Sequence, residues 1–362
     1  MPLNLPQALR MKMQTPRPRL AISMADGYDY NILGDDADPD DLYEELIKHN
    51  HVLTESLQSS SNPRGDTIVD EFLLDLLSKT IFGSNYIEQA GAGLAITLQL
   101  CHAIFSGETV PDEITEHDPE YQALKDDLAH QNLPPGPPAI LLRRRCEIVQ
   151  HARAASFILN EVYLKENDLS EENILETHRI LTHKVDTDDE YPWQKYSGVY
   201  RTVPVSAGLH SFPPPERVPA GMRQLITALN RDLAGAAASG AIDPVALAAK
   251  YSQKFVCLHP FVDGNGRTCR LILNVLLVKY GVLPAPIGQD AATREKYLEI
   301  AAAASEREAS EGVQWDDDEE GAPKSYKALA TFTLKFVTDE MRALVGKLKG
   351  KGGGDGGVDG GV

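Results

Sequence analysis

Positive charge is in short supply in this chain. Its 362 residues carry 35 Lys and Arg against 53 Asp and Glu, a formal net charge of −18 with the histidines neutral. Phosphate backbones are bound through accumulated Lys and Arg, so nucleic acid is excluded as the main partner. Cysteine is scarce as well: Cys101, Cys146, Cys257 and Cys269 are the only four, none in C-x-x-C spacing. They are too few for a disulfide scaffold and read as reduced thiols of a cytosolic or nuclear protein. No apolar run approaches the ~18 residues that cross a bilayer, so no membrane association is expected. Nor is there an apolar secretion signal. The first 20 residues hold Arg10, Lys12, Arg17 and Arg19 without an acid, but Pro2, Pro6, Pro16 and Pro18 interrupt the amphipathic helix of an organelle presequence. Residues 1–37 therefore read as a flexible basic arm. A P-loop G-x-x-x-x-G-K-S/T and a repeat of fixed period are both missing.

What is present is apolar content of 42%, ample for a core, over a length that suggests about two domains. The pattern is overwhelmingly helical. Asp66 is placed to cap a helix whose Ile68, Phe72, Leu73, Leu76 and Leu77 line one face, with Gly83 ending it and Ser84 starting a new turn toward Glu88. Pro134–Pro138 marks a boundary, separating a helical region over 38–133 from the main domain over 139–305. Ala139–Leu164 reads as one long helix, and Ser170 caps another through His183. Thr202-Val203-Pro204-Val205 is a β-like run before Gly208, read as a hairpin because Pro204 removes a ladder donor. The Asp243-Pro244 pair is a helix start, with Asp as N-cap and Pro in the first turn. Further helices are expected from about Gly266 to Tyr280, Ala291 to Ser305 and 325–348. An acidic loop over 306–324 and a Gly-rich disordered tail over 349–362 complete the chain.

One segment, Leu258 to Arg270, carries chemistry. Gly264 and Gly266 let backbone N–H groups converge with the positive end of the following helix, which makes an anion cradle. Arg267 and Arg270, three apart, share a helix face and can both reach a polyphosphate. Asp263 is a hard oxygen ligand suited to Mg²⁺ held by phosphates. His259 can take a proton near neutral pH. These are the parts of a phosphoryl or nucleotidyl transfer site. Gly91-Ala92-Gly93 reads as an ordinary turn, and the His178/His183 pair as structural.

Residues 259–270 match H-x-F-x-D/E-G-N-G-R-x-x-R at every fixed position, so the chain resembles the Fic (Fido-fold) family. The stretch from Gly198-Val199-Tyr200-Arg201-Thr202 to Phe212-Pro213-Pro214 is similar to that family's flap hairpin, and the resemblance covers about 139–305. It implies an all-α helical bundle with a small β-hairpin flap over the site, and protein adenylylation, in which AMP passes from ATP to a Ser, Thr or Tyr hydroxyl. By the same resemblance His259 is the base. Asp263 holds Mg²⁺, Gly264, Asn265 and Gly266 cradle phosphates, and Arg267 and Arg270 stabilise their charge. Thr202 and Val203 belong to the nucleotide- and target-binding flap, which clamps a target protein, or the enzyme itself, as an added strand. Tyr297 lies beside the adenine. Leu298 stands where some relatives carry a second aromatic, and Ser305 where many carry Asn. Homodimers are common in such families, but no residue here marks an interface.

Relatives often carry an inhibitory helix of pattern S/T-x-x-x-E-G/N. Ser84-Asn85-Tyr86-Ile87-Glu88-Gln89 fits it except at Gln89. The resemblance implies that Glu88 pairs with Arg270, denies that arginine to the γ-phosphate, and in some relatives positions a water that removes AMP. Two other readings stay open at this level. One is a Fic transferase using another nucleotide or a phosphocholine donor, and the other is an ATP-binding regulatory or scaffold module with little turnover.

Overall fold

The computed structural model describes residues 3–15, 20–34, 37–58, 63–130, 137–187, 189–207, 210–311 and 324–350. Among these the chain is all-α. Its helices are α1 Leu5–Gln14, α2 Pro39–Gln58, α3 Pro63–Ile87, α4 Leu94–Phe105, α5 Pro119–His130, α6 Pro138–Ile158, α7 Glu171–Leu181, α8 Val218–Ser239, α9 Pro244–Leu258, α10 Asn265–Lys279, α11 Ala291–Glu311 and α12 Lys327–Gly350. The strands are two residues long. β1 (Ala21–Ile22) pairs in parallel with β4 (Ala241–Ile242), and β2 (Ser206–Ala207) pairs antiparallel with β3 (His210–Ser211).

α10 is the centre. From Leu271 to Val278 only Asn274 interrupts an apolar run, and the helix is buried on all sides. A helix apolar all round must be enclosed by others. α9 packs along it, and α3, α6 and α7 reach it from the remaining directions. Asn274 is satisfied within this core, its amide donating to Arg270 O at 2.8 Å and accepting from Ala285 N at 2.7 Å. α9 begins as its sequence requires: the Asp243 carboxylate accepts from Val245 N and Ala246 N at 3.1 and 3.0 Å. The same carboxylate accepts from Ala25 N and Tyr28 OH, both at 2.9 Å, so one cap also stitches the N-terminal segment to the core. One buried apolar cluster runs from Leu5 to Val345 across the proline-rich boundary.

Several expectations are corrected. The arm over 1–37 is not flexible where described: α1 buries Leu5 and Leu9 and sets Arg10 against Asp70 and Asp66 at 2.7 and 3.0 Å. Pro6 is harmless there because a first-turn N–H has no intrahelical acceptor to lose. α3 does not end at Gly83 but continues to Ile87, carrying Ser84 inside the helix. Thr202–Val205 is not strand; the hairpin ladder lies one step on, pairing Ser206 with Ser211 and Ala207 with His210. Pro204 has no N–H for a ladder, so pairing begins beyond it. The helix expected over 139–164 is α6 followed by a π-helical turn, Leu159–Leu164. Glu306 to Glu311 belong to α11 rather than to a loop. The rest of the acidic segment, 312–323, and the tail over 351–362 lie outside the described residues.

Gly83 has a packing reason. A Cβ there would overlap Ile287 O, so α3 can approach the chain at 287–288 only through a glycine. Gly83→Ala is expected to lower unfolding free energy by about 2 kcal/mol, the usual cost of overpacking, measured as a lower urea midpoint with an unchanged m-value.

Candidate active site

The chain reverses between α9 and α10 through two left-handed residues. His259, the C-cap of α9, has φ 49° and ψ 61°, and Gly264, the N-cap of α10, has φ 77° and ψ 4°. A Cβ on Gly264 would sit 3.2 Å from His178 Nε2, so both backbone and space select glycine. Asn265 locks the turn from inside: its Oδ1 accepts from Phe261 N and its Nδ2 donates to Phe261 O, both at 2.9 Å. Its side chain is spent on the loop, leaving only its main chain to face a phosphate.

His178, read from sequence as structural, braces the same turn. Its Nε2 donates to Asp263 O at 2.8 Å, its Nδ1 accepts from Gly198 N at 3.0 Å, and its ring stacks on Phe261 at 3.6 Å. These partners fix the neutral tautomer, and burial pushes its pKa down to about 4.

His259 presents a single usable nitrogen. Its Nδ1 lies 3.1 Å from Val256 O, which can only accept, so Nδ1 carries the proton and Nε2 keeps its lone pair. Phe212, from the far stem of the hairpin, stacks on the imidazole with centroids 3.7 Å apart. Burial lowers the pKa to about 4, so the ring is neutral and able to accept a proton across the physiological range.

The first turn of α10 offers main-chain N–H groups that have no intrahelical acceptor. Beside them Arg267 is buried, yet its Nε and Nη1 have no partner. Only Nη2 is engaged, on Asp263 Oδ2 at 3.2 Å. Burial opposes ionisation of Asp263, but Arg267 and the Gly264 N–H hold its carboxyl below the usual carboxylate range. Unfilled buried donors on a guanidinium describe a seat for an anion. A cavity of about 1320 Å³ opens there, lined among others by Glu88, Arg143, Arg144, Glu147, Asp263 and Arg267.

Part of that seat is taken by the protein's own carboxylate. Glu88 Oε1 lies 2.6 Å from Arg270 Nη2, and a Cβ on Gly266 would overlap the same oxygen, so Gly266 admits the carboxylate onto the helix end. Arg270, 3% exposed, also donates from Nε to Ser84 Oγ and from Nη2 to Ser84 O, both at 2.8 Å. Glu88 thus lies on Arg270 as the resemblance implies, and Ser84, given there only as the first residue of the inhibitory pattern, adds two contacts to the same guanidinium. Gln89 explains its own departure from the pattern: at φ 56° it is left-handed, a position that glycine or asparagine fills more cheaply.

The remaining expected residues lie around this centre. Tyr297 is buried beneath Arg270, whose guanidinium carbon is 5.4 Å from the ring centroid. α11 turns Tyr297 inward and leaves Leu298 exposed. Ser305 Oγ contacts Cys257 Sγ at 3.8 Å. Thr202 and Val203 are exposed on the near stem of the hairpin.

Sequence reading missed the anchors of Glu88. Gly91, taken as an ordinary turn residue, donates to Glu147 Oε2 at 2.7 Å and accepts from Arg144 Nη1 at 2.9 Å. His151 Nδ1 donates to Asn85 Oδ1 at 2.8 Å. Arg144, Glu147 and His151 share one face of α6 by their spacing, the only local signal that could have linked them. Arg294 Nε closes the end of α3 by donating to Tyr86 O and Ile87 O.

The depressed pKa of His178 has a consequence for stability. The unfolded chain binds a proton near pH 6.5 that the folded ring refuses until about pH 4, so stability is full above pH 6.5 and falls as pH drops through that window. The loss from this residue is on the order of 3 kcal/mol. Urea melts of His178→Gln, which cannot titrate, are expected to show a correspondingly shallower decline between pH 6.5 and 4.

Comparison with known proteins agrees with this geometry. The Fic/DOC family model matches residues 168–277, a narrower span than the motif-based resemblance over 139–305. Protein adenylyltransferase fic-1 of Caenorhabditis elegans is 31% identical over 161 residues, covering 44% of this chain and 29% of that protein. Protein adenylyltransferase Fic of Drosophila melanogaster is 33% identical over 148 residues, covering 41% of this chain and 27% of that protein. The match thus spans less than a third of the length of these relatives. Among solved structures, a Fic-domain-containing signaling protein from Bacteroides thetaiotaomicron superposes with a TM-score of 0.58 at 21% identity, over 86% of this chain and 98% of that one. A Fic-1 segment from C. elegans gives 0.56 at 20% identity, over 85% and 73%. Residues 168–277 thus match the Fic/DOC family model, within a larger all-α body that has the same fold as these Fic structures.

Proposed function

We propose that this protein is a protein adenylyltransferase, moving AMP from ATP to hydroxyl groups of target proteins and of itself, and that Glu88 restrains it. The observation that carries the reading is the Glu88 carboxylate lying on Arg270 and over Gly266, where an anion belongs, beside a buried Arg267 with two unfilled donors. The relatives named as protein adenylyltransferases support the same reaction class.

In this reading the triphosphate lies along the first turn of α10, with Arg267 and Arg270 offsetting its charge. The target hydroxyl approaches from the hairpin side, where among the described residues β2 and β3 pair only with each other, and an added strand would extend their ladder. His259 Nε2 takes the hydroxyl proton as the oxygen bonds to the α-phosphorus. The bond from that phosphorus to the bridging oxygen breaks, and pyrophosphate leaves. Asp263 fits Mg²⁺: it is a single carboxylate with an exposed edge, no cluster of three ligating side chains occurs among the described residues, and Mg²⁺ is commonly held by one or two carboxylates together with phosphates. When bound, Mg²⁺ supplies positive charge against the phosphates.

Glu88 opposes this arrangement electrostatically. Its carboxylate and a γ-phosphate compete for Arg270, and two anions cannot share one helix end without repulsion. Transfer of label from ATP labelled at the α-phosphate is expected to rise about 100-fold in Glu88→Gly, the gain available to a site competent roughly 1% of the time. His259→Ala in that background abolishes it. Incorporation unchanged by Glu88→Gly contradicts the restraint, and ATP binding with no label transferred in any form favours a binding module.

Acidity supplies an independent check. Because His259 must be neutral to accept the proton, the acid limb of kcat/KM for the Glu88→Gly form is expected near pH 4, not near 6.5.

A further inference from the structure

Arg201 is buried, 2% exposed, and its side chain is spent on main-chain carbonyls of three separate segments. Nε donates to His259 O at 2.6 Å, Nη2 to Pro213 O at 2.6 Å and Nη1 to Val203 O at 3.3 Å. Its own N–H donates to Pro260 O at 2.9 Å. Val203 and Pro213 stand on the two stems of the β2–β3 hairpin, while His259 and Pro260 carry the base.

The chemistry of this contact is specific to a guanidinium. Its planar fork presents several donors in fixed directions, so one side chain can reach three carbonyls that no other residue type could span at once. Among the described residues it makes no ion pair with a carboxylate: its side-chain donors go to carbonyl dipoles, and Glu216 adds only a longer-range attraction. Burying a charge without a counter-ion is unfavourable. If filling space were all that mattered, an apolar side chain would serve better.

Two features of His259 depend on the groups Arg201 holds. Its backbone is left-handed, uncommon for a residue with a Cβ, and Arg201 Nε takes up the carbonyl that this conformation exposes. Its ring is stacked by Phe212, the residue directly before Pro213, whose carbonyl the same guanidinium holds. The ring's remaining tie, Nδ1 to Val256 O, fixes the tautomer only while the backbone stays in place.

We propose that Arg201 is a positioning residue that fastens both hairpin stems to His259, so that a target strand laid on the hairpin meets the Nε2 lone pair in register. The proposal rests on the transferase reading above and assigns Arg201 no contact with ATP. It makes the distance between the target-binding edge and the base a property of one side chain.

The test uses the full chain with ¹⁵N-labelled histidine, His259 being assigned by its loss in His259→Gln. The parent is expected to show one neutral tautomer protonated at Nδ1, and Arg201→Met a mixture of tautomers. In the Glu88→Gly background Arg201→Met is expected to lower kcat about 100-fold, the penalty for roughly 1 Å of misplacement, with KM for ATP within about two-fold of the parent. Arg201→Lys, which keeps a donor but not the fork, restores part of kcat, and it carries the same readouts if the Met variant fails to fold. A folded variant with the parent tautomer and parent kcat overturns the proposal. So does a parallel loss of ATP affinity and kcat that is equal in the Lys and Met forms. If Glu88→Gly with Arg201 intact transfers no label, the transferase reading falls, and the tautomer comparison still decides the role of Arg201.

Discussion

The ion pair between Glu88 and Arg270 organises everything near the site. At 2.6 Å, with Arg270 only 3% exposed, it joins the end of α3 to the central helix α10 across 182 residues of sequence. Removing one partner of a buried ion pair costs about 3–5 kcal/mol, so the Arg270 pocket favours an anion. In the proposed reading two anions compete for that place, the chain's own Glu88 carboxylate and a phosphate of ATP. On that reading a net charge of −18 is compatible with a polyphosphate ligand. Arg267, Arg270 and the α10 N-terminus concentrate positive potential in one place inside an acidic surface.

An exchange of that kind works only if the rest of the site does not move with it. The turn between α9 and α10 is held by Asn265 on Phe261, by His178 on Asp263 and Phe261, and by Arg201 on His259. Each brace is buried and directed at main chain, so the base and the phosphate seat keep their spacing whichever anion is present. The glutamate is fixed with comparable care, through Gly91 to Arg144 and Glu147 and through Asn85 to His151. Both sets of contacts converge on α6, α7 and α10, which pack directly on one another.

The motif from His259 to Arg270 was legible because all its parts are local: two glycines, a helix start and two arginines on one face. So was the α9 cap, since Asp243-Pro244 states a helix start within two residues. Helical period showed a chain that is overwhelmingly helical, and the bundle with its hairpin flap came from the resemblance. What sequence did not reveal depends on distant partners. Nothing near Arg201 indicates that its donors will find Val203, Pro213 and His259. Pro6 suggested a broken arm because the partners that dock α1, Asp66 and Asp70, lie about 60 residues away. Gly83 suggested a helix end because the carbonyl it must accommodate belongs to Ile287. The burial of Tyr297 was not legible either, because it is decided by Arg270 packing over it.

The central claim is that Glu88 occupies the place of a phosphate. A crystal structure of the Glu88→Gly form with ATP tests it most directly. The account predicts the terminal phosphate within hydrogen-bond distance of the Arg270 guanidinium, over Gly266 where the carboxylate now lies. A triphosphate bound along α10 that leaves Arg270 unengaged would contradict it.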